Sequence, residues 1–261
     1  MELQDRVAII TGASSGIGAV IARFYLNEGA FVFGCGLEEK SGIVHERFAY
    51  RKADICRTED AERVVADCVA RFGKADILVN CAGVTGLGTI DDTSVEEFRR
   101  QFEINVFGLY TMTKAAIGAI RASEHAVIIN IVSELGVKAI PNRIAYCPSK
   151  AAVEMLTRCL AADCGPRVRV NGILPGLTET PMTRMRYETP PTRRQSGRKP
   201  GTVMSSNACA CRRMWPTAQF SWLRTGVPSL REICWPCAEE DSSSPARKEE
   251  PDGCKSFCLR P

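Results

Sequence analysis

Eight residues, TGASSGIG at positions 11–18, stand between the apolar run VAII at 7–10 and the helically periodic segment AVIARFYLNEGA. This stretch limits the architecture more than any other. A short β-branched run that ends in a glycine-bearing turn and opens a helix is one half of a βαβ unit. Of its three spaced glycines, Gly12 permits a tight bend, Gly16 lets backbone approach a diphosphate, and Gly18 lets the helix pack closely on the sheet. The helix that follows begins with N–H groups that have no partner in the helix and with the positive end of its dipole, both suited to phosphate. A nucleotide site is the reading that this context favours. The absence of a GK[ST] ending excludes a Walker-type triphosphate loop.

The rest of the chain repeats the alternation. FVF reads as a second strand and ADIC at 53–56 as the close of a third, after a stretch of helical character. TEDAERVVADCVARFG reads as an amphipathic helix ending at Gly73, and ADILVNCAG as a fourth strand. A long helix follows over 94–120, opened by Ser94 and Glu97 in capping-box spacing. AVIINIVS, AYCPSKAAVEMLTRCLAADCG and VRVNGILPG then read as strand, helix and strand. Apolar strands separated by helices predict an α/β fold: a Rossmann-type, doubly wound parallel sheet covered on both faces. The end of the second strand should carry the residue that reads the adenosine ribose. It reads GCGLEEK, in which Gly36 and Leu37 are uncharged, so the preference between NAD and NADP leans slightly to NADP. Asp54 is placed to accept from an adenine amino group.

Near residue 190 this text stops. Residues 190–261 hold all three tryptophans and nine of the 14 prolines and show no sustained period. The expected organisation is therefore a nucleotide-binding catalytic domain over 1–189 and an atypical, poorly ordered tail over 190–261 in which no last helix and strand are legible. Charge divides at the same place, with 22 basic and 23 acidic side chains before it and 12 and 7 after it. A neutral body argues against nucleic acid as a partner. Apolar runs are strand-length, well short of the ~20 residues a bilayer needs, so no membrane is expected and the chain reads as cytoplasmic. The 13 cysteines show no pairing rhythm and read as free thiols. CWPC at 234–237 and CKSFC at 254–258 lack the flanks of a zinc knuckle, and no metal is expected.

Tyr146 lies four places before Lys150, a spacing that means little alone. Taken with TGASSGIG, Asp54, NCAG at 80–83, Asn105 in FEINVFG, Ser133 in IINIVSELG, YCPSK at 146–150 and VRVNGILPG at 168–176, it resembles the short-chain dehydrogenase/reductase family in order and spacing over residues 3–185. Within that family the resemblance is to members like 3-oxoacyl-acyl-carrier-protein reductase. It implies an oxidoreductase that moves a hydride between a nicotinamide cofactor and a ketone or secondary alcohol, a small-molecule substrate. Asn105, Ser133, Tyr146 and Lys150 would be catalytic. Gly12, Ser14, Ser15, Gly16, Ile17, Gly18, Asp54, Ile55, Asn80, Ala82 and Gly83 would bind the cofactor, together with Tyr146 and Lys150. Pro175, Gly176, Thr178 and Thr180 would close over the nicotinamide. A homo-oligomer through the 94–120 helix is also implied. The alternative is an inactive, truncated or frame-altered relative that acts as a binding protein.

The chemistry follows from the side chains. Ketone reduction needs a proton at oxygen, and a phenol can give it. The Lys150 ammonium is expected to lower the phenol pKa by proximity and to grip the cofactor ribose with its other donors. Ser133 can stabilise charge on the carbonyl oxygen. Asn105, expected to distort its helix locally, can hold a water that resupplies protons. Pro148 is harmless only near a helix start, which predicts Tyr146 at the mouth of its helix, on the edge of a crevice at the carboxyl ends of the strands.

Overall fold

The structure, a computed structural model, describes residues 1–183. The expected tail at 190–261, with its two cysteine motifs and the missing last helix and strand, lies outside the described residues. Six parallel strands form one sheet: β1 (Val7–Thr11), β2 (Phe31–Gly36), β3 (Phe48–Lys52), β4 (Ile77–Asn80), β5 (Val127–Ile131) and β6 (Arg169–Ile173). Their spatial order is β3-β2-β1-β4-β5-β6. The order reverses at β1 and β4, and a crevice opens at such a reversal beyond the carboxyl ends of the strands. The helices are α1 (Gly16–Asn27), α2 (Thr58–Phe72), α3 (Val95–Phe102), α4 (Leu109–Ala122) and α5 (Tyr146–Cys164). This is the doubly wound α/β fold expected from the alternation.

Every residue of β1, β4 and β5 is buried, because helices cover both faces. On one face Ile9, Leu78 and Ile128 pack with Val64, Met112 and Ile120 of α2 and α4. On the other, Ile10, Val79 and Ile129 pack with Ile21, Tyr25 and Leu26 of α1. Successive strand residues alternate between these two cores, the period-two geometry of a strand. Asp76, just before β4, joins three strands at the opposite end of the sheet from the crevice. Its carboxylate accepts from the Val7 N–H at 2.8 Å, from the Ser123 hydroxyl and from Lys74 at 2.9 Å. Burial opposes its charge, but these bonds outweigh that and hold its carboxyl below the usual range.

Two expectations change. No helix forms between β2 and β3; Gly42 takes a positive φ there, and the Ser41 hydroxyl accepts from the Ile43 N–H in a local turn. The third strand is Phe48–Lys52, and ADIC follows it, in the loop that leads to α2. The long helix over 94–120 is divided by a π-helical turn at Glu103–Gly108, where the sequence placed a distortion. The Ser94 cap forms, its hydroxyl accepting from the Glu97 N–H at 3.1 Å.

Candidate active site

The glycine turn forms the floor at one end of a cleft of about 770 Å³ above the carboxyl ends of the strands. Gly12 and Gly16 adopt φ of +67° and +53°, a region that L side chains rarely take. The Thr11 hydroxyl accepts from the Cys81 and Ala82 N–H groups at 2.9 and 3.0 Å, drawing the exit of β4 against the turn. A Cβ on Gly12 would lie 3.0 Å from the Ala82 Cα, and one on Gly18 only 2.2 Å from the Gly12 carbonyl oxygen. Only hydrogen fits at Gly18 without moving backbone, and at Gly12 a side chain would be strained by the close contact and by the positive φ. Ser15 caps α1 in extended backbone without using its side chain on the helix. The residues thus form a cradle of bare backbone at a helix N-terminus, which fits the diphosphate of a dinucleotide. Ser14, Ile17, Asp54, Ile55, Ala82 and Gly83 line the same cleft.

At the end of β2 the cleft is bounded by Gly36, Leu37 and Glu38. The Ser14 hydroxyl donates to the Glu38 carboxylate at 2.6 Å, and the Tyr50 hydroxyl donates to the Glu38 carbonyl at 3.0 Å. A Cβ on Gly36 would meet the Tyr50 hydroxyl, the Glu38 carboxylate and the Ser14 hydroxyl, all within 2.9–3.3 Å. The space left by glycine at 36 is therefore closed by an acid from two residues further on. From the sequence, Glu38 and Glu39 are close to this position but read equally as solvent-facing, because the return toward Ser14 is not visible there.

The same cleft gathers Ser133, Tyr146 and Lys150. Ser133 follows β5 and caps a 3-10 turn at Glu134–Gly136, its hydroxyl accepting from the Leu135 N–H. Tyr146 is the first residue of α5, and Pro148 falls in that first turn, as expected. Burial raises the Tyr146 phenol above its ordinary pKa, while its hydrogen bond with Ser133 draws it down. Lys150 is 7 % exposed, and its ammonium donates to the Ile131 carbonyl at 2.8 Å. Burial lowers its pKa to about 8. The expectation of a phenol lowered by this ammonium is therefore corrected: the ammonium is held on the strand carbonyl, and burial dominates at the tyrosine. The remaining donors of Lys150 lie on the cleft beside Gly83, where a Cβ would approach the Nζ to 3.7 Å.

Two predicted residues do other work. The Asn105 amide donates to the Val84 carbonyl at 3.0 Å and to the Ser149 hydroxyl at 2.9 Å, and its oxygen accepts from the Val84 N–H at 2.8 Å. Both of its side-chain hydrogens are thus used, and a water held by that side chain's N–H groups is not part of this geometry. Ser149, which the sequence did not single out, passes the chain on by donating to the Tyr146 carbonyl at 2.8 Å. The π-helical turn thereby fixes both the β4 exit loop and the mouth of α5. Asn80 faces away from the cleft, donating to the Thr113 hydroxyl and the Asn130 amide oxygen at 3.0 and 2.9 Å. It ties β4 to β5 and α4 rather than touching a cofactor. Pro175, Gly176, Thr178 and Thr180 line the cleft opposite the glycine turn. The Pro175 carbonyl accepts from the Glu134 N–H at 3.0 Å, and a Cβ on Gly16 would reach the Thr180 methyl at 3.4 Å.

The comparisons with known proteins agree with this fold. A family model described as short chain dehydrogenase matches residues 6–191. The 2-(R)-hydroxypropyl-CoM dehydrogenase of Xanthobacter autotrophicus is 36% identical over 204 residues, 73% of this chain and 82% of that protein. The trans-4-hydroxycyclohexanecarboxylate dehydrogenase of Sinomonas cyclohexanicum is 37% identical over 194 residues, 69% of this chain and 74% of its own. Among solved structures, the ligand-free aldohexose dehydrogenase of Thermoplasma acidophilum superposes with a TM-score of 0.68 at 33% identity, covering 72% of each chain.

Proposed function

Since the chain belongs to the short chain dehydrogenase family, oxidoreductases that move a hydride between a nicotinamide cofactor and an alcohol or carbonyl, we propose that Tyr146 is the general acid and base of that transfer and NAD its preferred cofactor. The observation that carries the reading is the meeting of Ser133, Tyr146 and Lys150 on one cleft whose other end is the glycine cradle. When bound, the nicotinamide supplies or takes the hydride. Tyr146 gives its phenolic proton to the substrate oxygen in reduction and takes it back in oxidation. Ser133 orients that oxygen and shares its charge. Lys150, with one hydrogen bond to Ile131, has donors left for the cofactor ribose and stays largely protonated at neutral pH with its pKa near 8. Asn105 acts as a positioning residue through Ser149. The names of these three relatives denote dehydrogenases of hydroxylated compounds, which supports a small-molecule alcohol or ketone as substrate.

NAD rather than NADP follows from Glu38. Its carboxylate, held by Ser14 at the end of β2, can accept from ribose hydroxyls and would repel a 2′-phosphate. This replaces the slight lean to NADP, which rested on uncharged Gly36 and Leu37. The catalytic unit is taken as residues 1–189, a boundary supported by the end of the family match at 191. Pairing of two copies through the segment 94–120 is supported by the half-exposed Phe107 of its π-helical turn and Tyr110 of α4. Among the described residues no helix is long and apolar enough to cross a membrane. The deciding experiment is Tyr146→Phe. We expect turnover of a secondary alcohol with NAD to fall by at least about 100-fold, the scale of general acid–base catalysis, while the dissociation constant for NAD stays within about threefold. Retained turnover would refute the assignment.

A further inference from the structure

The cleft that holds Tyr146 is also lined by a buried cation that no carboxylate among the described residues pairs with. Arg143, three residues before Tyr146, is 3 % exposed and lines the cleft. One terminal nitrogen donates to the Gly86 and Asn142 carbonyls, both at 3.1 Å. Carbonyl oxygens satisfy hydrogens but cancel no charge. Among the described residues no carboxylate lies within ion-pair distance of it. Its Nε–H is shut off from water and has no hydrogen-bond partner among the described residues. A buried charge in this condition costs several kcal/mol, so its persistence calls for a partner.

The backbone holds Arg143 in place. Asn142 has a φ of +60°, a strained value that asparagine tolerates better than most residues. The Gly88 N–H donates to the Asn142 carbonyl and the Ile144 N–H to the Gly88 carbonyl, at 3.2 and 3.3 Å. Arg143 is thereby strapped to the loop that leaves β4. That loop carries a second unmet group: the Thr85 hydroxyl is buried without a hydrogen-bond partner and lines the same cleft. It neighbours Gly86, whose carbonyl Arg143 already holds. Two donors without acceptors among the described residues, one of them cationic, thus line the cleft of Tyr146 on two segments strapped together.

We propose that Arg143 and Thr85 form an anion subsite, and that the substrate is a short hydroxy- or oxo-carboxylate. With one terminal nitrogen held by carbonyls, the guanidinium keeps the edge made by Nε and the other terminal nitrogen. That edge offers two parallel N–H groups, the arrangement that grips a carboxylate bidentately. The loop around Thr85 must yield slightly as the anion enters, since Nε and the Thr85 oxygen are closed to water. The carboxylate then neutralises the buried charge and holds the reacting carbon near Tyr146. The inference rests on the proposed dehydrogenase reading and names its substrate class.

The test compares 3-oxobutanoate with 2-butanone, two ketones of equal carbon number that differ in the carboxylate. Their binding to the full chain saturated with NAD is measured by calorimetry, which needs no turnover. We expect 3-oxobutanoate to bind at least about 30-fold more tightly, the lower end for a desolvated charge pair. Arg143→Gln should abolish that preference without changing affinity for NAD or for 2-butanone, and Thr85→Val should reduce it. If Arg143→Gln does not fold, Thr85→Val and Arg143→Lys, which keeps the charge but not the fork, decide by the same ratio. Equal binding of the two ketones by the native protein, or an unchanged preference in these variants, overturns the inference. Failure of the dehydrogenase reading shows separately, as absent NAD-dependent oxidation of 2-butanol.

Discussion

Replacing Lys150 with Met should expose the energetic cost of placing an ammonium beneath the cleft. The side chain is 7 % exposed and bonds only the Ile131 carbonyl among the described residues. Its pKa falls from the ordinary 10.5 to about 8. At 1.36 kcal/mol per pKa unit this is a cost of about 3 kcal/mol, a large fraction of the ~5–15 kcal/mol by which a domain is stable. The sign follows from proton counting. Below pH 8 the folded and unfolded chains both hold the proton, and the folded state carries the full cost. Between about pH 8 and 10.5 the folded state releases it while the unfolded chain keeps it, so stability rises with pH. Urea unfolding of both proteins from pH 7 to 10 isolates this, since the other titrating groups are common to both. The offset at one pH is not diagnostic, because Met leaves the Ile131 carbonyl without its donor. The change of the offset with pH is. Wild type should gain up to about 3 kcal/mol on the variant across that window, with unchanged m values. Parallel stability curves would refute a buried, burdened ammonium. Turnover should be lost in the variant at every pH, marking the burial as a concession of stability to function.

Three further perturbations probe the remaining parts. Glu38→Arg should move the ratio of NADP to NAD affinity by at least about tenfold toward NADP, since like charge at the phosphate is replaced by opposite charge; fluorescence titration with each reduced cofactor reads it. Gly18→Ala places a Cβ 2.2 Å from the Gly12 carbonyl oxygen, so the turn must shift and thermal stabilisation by NAD should disappear while the far-ultraviolet circular dichroism remains. Asp76→Asn removes a buried charge shared by Val7, Ser123 and Lys74 and should cost about 3 kcal/mol in urea unfolding at pH 7. The Asp76 carboxyl lies below its unfolded pKa of about 3.9, so its contribution is present above that value and is lost as pH falls through the lower folded one. The difference between wild type and variant should shrink in acid accordingly.

What could be read from the sequence, and what could not, divides by the range of the interactions. The glycine turn was legible because its constraint is local: the residues of 11–18 set the bend, the close approach and the helix start within one turn of chain. Tyr146 at a helix mouth was legible for the same reason, since Pro148 permits no other place. The π-helical turn at Glu103–Gly108 was half legible. An asparagine inside a helical run marks a disturbance, but that its amide reaches Val84 and Ser149 depends on two segments that the fold brings together. Asn80 was misplaced because strand alternation sends its side chain toward Thr113 and Asn130, and one residue decides the face. Glu38 stood close to the ribose position in the sequence but reads equally as a solvated acid, because its bond with Ser14 depends on the chain doubling back after β2. The pKa order at the reaction centre was also hidden. Tyr and Lys one turn apart suggest mutual attraction, yet each is first governed by burial, which moves the phenol up and the ammonium down. Both shifts favour neutral side chains, so the site in this form stores a proton on Tyr146 and holds one loosely on Lys150. For the general acid and base proposed at Tyr146, that arrangement favours donation to a ketone, and alcohol oxidation should speed up as the pH rises.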